Sequence, residues 1–328
     1  MPIEPKRILI TGGTGFIGSH LIRRLIKENH SVHLLIRETS SLRRLSDFST
    51  KLTLWPSDFS CSSNLEKNIL SANPDIVFHL AGDTTIRKKG VGFDEISISL
   101  EVNLKGTLNL LQAIMNLQSP NPRLIRVGGL EEYGNGPIPF KETQRENPIS
   151  PYSASQVAAT YYSQMIQHYV QFPILTLRPS LVYGPAQNPN FFIPSFITSL
   201  LNSSEFEMSE LPHYRDFIYV DDVIDALLMA MEKPASSSIL TENLTINICS
   251  GHEYSIHEVA QMIQRLMGKT IKLRPFQTES RAMSLKHLKG SNERAKNLLH
   301  WSPKTSLEEG LLHTMNWFRN HSEEWARA

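Results

Sequence analysis

The order of residues predicts an α/β protein: a doubly wound parallel sheet with a smaller lobe toward the C-terminus. Short runs rich in Ile, Val and Leu recur through the first half of the 328-residue chain, segments of helical period separate them, and prolines break the rhythm after residue 180. The runs at 7–10, 32–36, 52–55, 75–80, 123–127 and 174–177 are continuous rather than alternating, as strands buried on both faces are. Between them, residues 19–27, 65–71, 95–117 and 154–170 place apolar side chains three and four apart, the period of a helix with one buried face. Strand alternating with helix makes each connection a crossover, so the strands run parallel. Pro185, Pro189 and Pro194 then interrupt the alternation and place the start of the smaller lobe near residue 179. Residues 217–220 and 244–249 again read as strands flanking a helix at 222–231, so 216–250 is expected to return to the main sheet. Helices at 256–267 and 307–318 complete the lobe, which leaves 1–178 as one domain and 179–215 with 251–328 as the other.

Composition narrows the function. The 33 Lys and Arg are offset by 32 Asp and Glu, a formal net charge of +1, so no basic excess is present to neutralise a nucleic-acid backbone. Cys61 and Cys249 are the only cysteines, too few for a disulfide framework or a cysteine-rich zinc site, which suits a reducing compartment. The apolar run Ile8-Leu9-Ile10 is too short for a signal peptide and no later segment approaches a membrane span, so a cytoplasmic protein without a membrane partner is expected. His30 and His33 have metal-like spacing but straddle a helix-to-strand turn with no evident third ligand, and no metal is expected.

The most informative segment is Thr11-Gly12-Gly13-Thr14-Gly15-Phe16-Ile17-Gly18, between the first strand and the first helix. Small residues there let an anion come close to the backbone, and unpaired amides at the helix start point at it, the requirements of a bound phosphate.

This turn resembles the TGxxGxxG signature of short-chain dehydrogenases/reductases, and the chain is similar over nearly its whole length to the extended subgroup that modifies sugar nucleotides. Further matches are Asp58, His79-Leu80-Ala81-Gly82, Asn103, Tyr133-Gly134, Tyr152-Ser153, and Arg178-Pro179 leading to Tyr183-Gly184-Pro185. The resemblance implies a Rossmann-type sheet and a dinucleotide held in the turn by Gly12, Thr14, Gly15, Phe16, Ile17 and Gly18. It adds Asp58 and Phe59 after the third strand, Leu80, Ala81 and Gly82 after the fourth, Asn103 on the long helix and Val127 closing the fifth strand. Tyr152, Gln156, Arg178, Ser180 and Val182 complete the implied set. Arg37 stands 19 residues after Gly18, where NAD-preferring relatives carry an acid for the ribose hydroxyls. A cation there favours a 2′-phosphate, with Ser40, Ser41, Arg43 and Arg44 as further donors, so NADP is expected in preference to NAD.

The resemblance also assigns chemistry. Tyr152 matches the tyrosine that exchanges the proton of a sugar hydroxyl as hydride passes between nicotinamide and the sugar carbon. The usual lysine four residues on is Gln156, and the usual serine or threonine four residues before the Tyr-Gly pair is Gly129. Glu131 matches a base of sugar-nucleotide dehydratases, but their neighbouring acid or hydroxyl is Leu130, and Gly128-Gly129-Leu130-Glu131-Glu132-Tyr133-Gly134 is similar to the segment of GDP-4-keto-6-deoxymannose reductases with its serines removed. Glu132 reads equally well as a solvated loop carboxylate. Without a neighbouring cation, tyrosine (pKa about 10) is phenolate to the order of a thousandth at pH 7, a poor base but an adequate acid. The expected activity is NADPH-dependent reduction of a 4-keto sugar nucleotide. Epimerisation or dehydration with bound NAD(P) is the first alternative, and a catalytically silent sugar-nucleotide-binding protein, suggested by Gly129 and Gln156 together, is the second.

On the substrate side, Arg215 to Asp222 resembles the RDFIYVxD segment whose arginine grips the substrate diphosphate, with Asp222 expected to cap the following helix. Arg281 resembles a second such arginine, and Asn190 and Phe192 fall where relatives place sugar and base contacts. A homodimer is expected through the helices holding Asn103 and Tyr152, the latter presenting Tyr161, Tyr162, Met165 and Tyr169.

Overall fold

Apolar residues in adjacent positions of a strand point to opposite faces, and this alternation organises the computed structural model, which describes residues 4–59, 62–83, 92–117, 122–210, 212–233, 245–276 and 285–325. In β1 (Arg7–Thr11), Ile8 and Ile10 enter one apolar core with Leu21, Ile22 and Leu25 of α1 (Phe16–Lys27), while Leu9 enters a second core. That second core contains Leu110, Leu111 and Ile114 of the helix on the other face. β4 (Ile76–His79), β5 (Arg123–Val127) and β6 (Ile174–Pro179) divide their side chains in the same way: Phe78, Ile125 and Leu175 on one face, Val77, Leu124 and Ile174 on the other. The apolar residues of these strands are consecutive because both faces are covered, with Arg126 in β5 and Arg178 in β6 set among them.

With β2 (Ser31–Ile36), β3 (Leu52–Pro56) and β11 (Thr245–Ile248), these form a seven-stranded parallel sheet of order β11-β6-β5-β4-β1-β2-β3. The chain builds outward from β1 to β3, then starts again on the other side of β1 with β4. Parallel sheets of this kind open a crevice at that reversal, beyond the carboxyl ends of the strands. The glycine turn after β1 and residues 80–83 after β4 therefore form its two walls.

Three elements differ from the sequence expectation. The helix expected at 95–117 is interrupted: α3 (Phe93–Ser99) and α4 (Gly106–Met115) are joined by a π-helical turn, Leu100–Lys105, which carries Asn103. β10 (Phe217–Tyr219) does not join the main sheet but pairs with β7 (Leu181–Tyr183), whereas β11 lies beside β6 at the sheet edge. Asp222 does not cap a helix start: α7 runs from Val220 to Glu232 with Tyr219 at its N-cap. The Asp222 carboxylate instead accepts the backbone N–H groups of Lys304 at 2.9 Å and Thr305 at 3.1 Å, and its carbonyl accepts Trp301 Nε1 at 2.9 Å. It fastens the segment entering the last helix, α9 (Leu307–Trp325), to the body.

Among the described residues no helix is long and apolar enough to cross a membrane, and no cluster of three or more His, Cys, Asp or Glu could hold a metal ion. His33 is occupied by Trp55, whose Nε1 donates to its Nδ1 at 3.1 Å. Cys249 is buried; Cys61 and Arg281 lie outside the described residues.

Asp222 is 3% exposed, so replacing it removes the shared acceptor of the part-buried Lys304 and Thr305 amides. Asp222→Ala should lower unfolding stability by about 2–3 kcal/mol in urea titrations.

Candidate active site

The glycine turn fits a diphosphate. Gly12 has φ +70°, and a Cβ on it would stand 2.6 Å from the Leu80–Ala81 backbone; one on Gly18 would stand 2.4 Å from the Gly12 carbonyl oxygen. Glycine is therefore required for the turn to press against the opposite wall. Gly15 caps α1 without a side-chain hydrogen bond, which leaves the amides of the first turn directed at the crevice. Phe16, Ile17, Leu80, Val127 and Val182 are partly buried against the larger core. Thr14 holds Arg44 beside the turn, its carbonyl accepting Nη1 at 3.5 Å, while Arg44 Nε donates to the Ala186 carbonyl at 3.0 Å. Burial and the like charges of Arg43 and Arg23 lower the proton affinity of Arg44, so this corner favours an anion. Arg37 is exposed at the end of β2, its N–H donating to Ser40 Oγ at 3.1 Å, and Asp58 is exposed beyond β3 next to half-buried Phe59.

A chain of hydrogen bonds fixes the β4 wall, and the sequence reading did not find it. Thr107 Oγ1 donates to the Asn103 carbonyl at 2.6 Å, so it accepts from His79 Nε2 at 2.9 Å. His79 Nδ1 then accepts from Thr11 Oγ1 at 2.7 Å, and Thr11 accepts the Ala81 N–H at 3.2 Å. Burial lowers the His79 pKa to about 3, so the ring stays neutral and keeps this donor order. Asn103 closes the wall: its Oδ1 accepts the Asp83 N–H at 2.8 Å and its Nδ2 donates to Ser155 Oγ at 2.9 Å.

α5 (Pro151–Gln167) begins at Ser150, whose hydroxyl accepts the Ser153 N–H at 3.1 Å, with proline at the first helical position. One helical turn separates Tyr152 from Gln156 and another reaches Thr160, so the three share a face. Tyr152 is half-buried at the start of α5; burial, reinforced by the charges of Glu131 and Glu132, raises the proton affinity of its hydroxyl above the ordinary phenol range, while Arg126 pulls the other way. A Cβ on Gly129 would stand 3.6 Å from that hydroxyl and 2.6 Å from Glu131 Oε2. The carboxyl group of Glu131 thus occupies the space a side chain at 129 would fill. Burial raises its proton affinity, with Arg215 as the opposing cation.

Glu132 is fully buried, not a solvated loop carboxylate. Its Oε1 accepts the Gly129 N–H at 3.1 Å, and its Oε2 accepts Thr160 Oγ1 at 2.8 Å and Arg178 Nη2 at 2.6 Å. A Cβ on Gly128 would stand 2.1 Å from Oε1, so the glycine makes room for the carboxylate. Arg178 was expected to reach the cofactor, but its guanidinium is 1% exposed, bonded also to Glu146 at 2.7 Å and placed 4.7 Å over the Tyr133 ring. Arg126, absent from the sequence reading, lies on the same sheet face: it pairs with Thr176, two residues before Arg178. Its Nη1 donates to Thr160 Oγ1 at 2.9 Å, and its Nη2 donates to the side-chain oxygen of Gln156. The signal that could have found it is a charged residue inside a strand whose neighbours are all apolar.

Arg215, on β9 (Tyr214–Arg215), is positioned through Asp216, which is 0% exposed and accepts Ser180 Oγ at 3.1 Å, Ser250 N at 2.9 Å and Gly251 N at 3.0 Å. The hydroxyl of Ser180 therefore serves this anchor rather than the crevice. Asn190 is exposed on the loop before α6 (Phe192–Leu201), and the Phe192 ring lies 5.8 Å from Phe196 and 6.1 Å from Phe206.

A family model described as GDP-mannose 4,6 dehydratase matches residues 9–314. A UDP-glucose 4-epimerase of Mycolicibacterium smegmatis is 30% identical over 97% of this chain and 100% of that protein. The human dTDP-D-glucose 4,6-dehydratase is 29% identical over 98% of this chain and 92% of that one. The solved structure of UDP-glucuronic acid 4-epimerase from Bacillus cereus, in complex with UDP-glucuronic acid and NAD, is 25% identical and matches with a TM-score of 0.85 over 95% of this chain and 99% of that one. The chain therefore belongs to the extended short-chain dehydrogenase/reductase family of sugar-nucleotide epimerases and dehydratases.

Proposed function

We propose that this chain binds NADP and a nucleoside-diphosphate sugar and reduces a keto group on the sugar ring, with Tyr152 as the proton donor. The observation that carries this reading is the setting of Tyr152, with Gln156 rather than a lysine one helical turn away, the Glu131 carboxyl filling the space beside its hydroxyl, and a proton affinity raised by burial. A group held protonated suits the delivery of a proton better than its removal. When bound, the dinucleotide supplies the hydride. Tyr152 Oη gives the keto oxygen the one proton that accompanies the hydride, with the Glu131 carboxyl, whose proton affinity burial raises, beside it. Arg215 holds the substrate diphosphate, with Asn190 and Phe192 on the sugar and base side and Arg281 as a second diphosphate ligand. Residues 1–178 with 216–250 are assigned to the dinucleotide and 179–215 with 251–328 to the sugar nucleotide.

Similarity to a UDP-glucose 4-epimerase supports a second reading, epimerisation with retained cofactor. The match to the GDP-mannose 4,6 dehydratase family model and the similarity to the human dTDP-D-glucose 4,6-dehydratase support dehydration as well, although the resemblance implies an acid or hydroxyl where this chain has the buried Leu130.

Tyr152→Phe should lower turnover by about a hundredfold or more while leaving sugar-nucleotide affinity within a few fold. Because the hydroxyl's proton affinity is raised, loss of the proton begins only at higher pH, so wild-type reduction should not fall on the alkaline side until about pH 10 or above. A decline near neutrality in steady-state pH profiles, or stoichiometric return of unconsumed cofactor, would support the epimerase instead.

Arg37 and the arginine-rich corner at Arg44 support NADP: calorimetry should show NADPH binding about tenfold or more tighter than NADH, and Arg37→Ala should erase the difference.

A homodimer is proposed through α3 and α5. Phe93 is 86% exposed, Tyr169 78%, Tyr161 51%, Tyr162 45% and Met165 44%, more apolar surface than single scattered residues account for. Sedimentation at micromolar concentration should give the dimer mass, and Tyr162→Glu with Met165→Glu should give the monomer.

A further inference from the structure

A guanidinium taken out of water normally finds a carboxylate, because an unpaired buried charge costs several kcal/mol. Arg126 is 1% exposed, yet its hydrogen bonds run to neutral oxygens: the Gln156 carbonyl at 3.2 Å, the Gln156 side-chain oxygen and Thr160 Oγ1 at 2.9 Å. Glu132 acts on it only through space and through the shared Thr160 hydroxyl. An amide has one acceptor end and one donor end, so capture of its oxygen fixes the direction of its NH2 group. That nitrogen is turned to the β4 wall, 3.4 Å from where a Cβ on Gly82 would stand, with Asn103 Oδ1 3.3 Å from the same point.

We propose that Arg126 is the positioning residue that lets Gln156 replace the lysine: it aims the Gln156 NH2 group at the dinucleotide wall and supplies, from the strand behind, the positive charge that the helix lacks. The proposal rests on the reading of this crevice as a dinucleotide site with Tyr152 as its proton carrier. The charges that converge on Tyr152 are then Glu131 and Glu132 on one side and Arg126 on the other, with Arg178 bonded to Glu132. Arg126 and Gln156 become one unit. A lysine introduced at 156 would press an ammonium against a buried guanidinium, so the residue pair has to change together.

The test measures NADPH affinity by cofactor fluorescence without sugar nucleotide, thermal unfolding, and the pH profile of turnover, on the full chain. Gln156→Lys and Arg126→Met should each weaken NADPH binding by about tenfold or more, and Gln156→Lys should also lower the unfolding temperature. The double variant Arg126→Met/Gln156→Lys should recover affinity to within about threefold of wild type and move the alkaline fall of reduction toward neutral pH, since a cation one turn from Tyr152 favours its phenolate. A double variant no better than the worse single, or Gln156→Lys binding and unfolding as wild type, overturns the proposal. Gln156→Glu covers the case in which Arg126→Met does not fold: it keeps an acceptor for Arg126 but replaces the donor end by a second oxygen. NADPH affinity should then drop by about tenfold or more with unfolding temperature preserved, and wild-type affinity in this variant overturns the proposal as well. Failure of the underlying reading shows separately, as wild-type protein that binds no dinucleotide.

Discussion

A single buried carboxylate, Glu132, ties the catalytic end of the molecule together. It is 0% exposed and holds the Gly129 amide, the Thr160 hydroxyl of α5 and the Arg178 guanidinium of β6. These partners come from three separate elements, so the carboxylate sets the distance between the end of β5, the helix that carries Tyr152 and the neighbouring strand. Arg178 remains charged despite burial because Glu132 and Glu146 flank it, and Glu146 stays ionised in turn: burial pushes it up but Arg178 outweighs that. Removing one member of such a network leaves the others as uncompensated charges in a low dielectric, which is why it persists only as a whole.

The two glycines before it follow from this constraint. At Gly128 a Cβ would overlap the Glu132 carboxylate, and at Gly129 it would meet Glu131. Two carboxyl groups thus stand in space that side chains at 128 and 129 would otherwise occupy. The space beside residue 129 is filled by a longer side chain that arrives from two residues further on.

The sheet was legible because its signal is repeated: six apolar strands, each covered on both faces, leave a pattern that no single residue can obscure. The glycine turn was legible for a different reason, since Gly12 and Gly18 sit where any side chain would collide with backbone. The misreadings have a common cause. Asp222, Glu132, Arg178 and Ser180 are polar residues whose partners lie far away in sequence, Asp222 binding amides 82 and 83 residues on and Arg178 a carboxylate 46 residues back. Local reading assigns such groups to a helix cap, to solvent or to a ligand, because those are the partners a short window can offer. Arg126 escaped notice for the same reason, and β10 left the main sheet because it pairs with β7 across the lobe boundary.

Charge counting shows how the site differs from a tyrosine–lysine pair. Arg126 and Arg178 face Glu132 and Glu146, which balance them, and Glu131 is then the odd acid among them. The cation that opposes it is Arg215, which also donates at 2.8 Å to the Tyr214 carbonyl. Burial shifts a carboxyl group so placed toward its neutral form. A lysine on the helix would add a mobile charge beside Tyr152 and draw the tyrosine toward phenolate. An arginine anchored in the strand behind Gln156 instead keeps its charge at a fixed distance, with a neutral amide between it and the crevice. Tyr152 and Glu131, both with proton affinity raised by burial, therefore flank the position of Gly129.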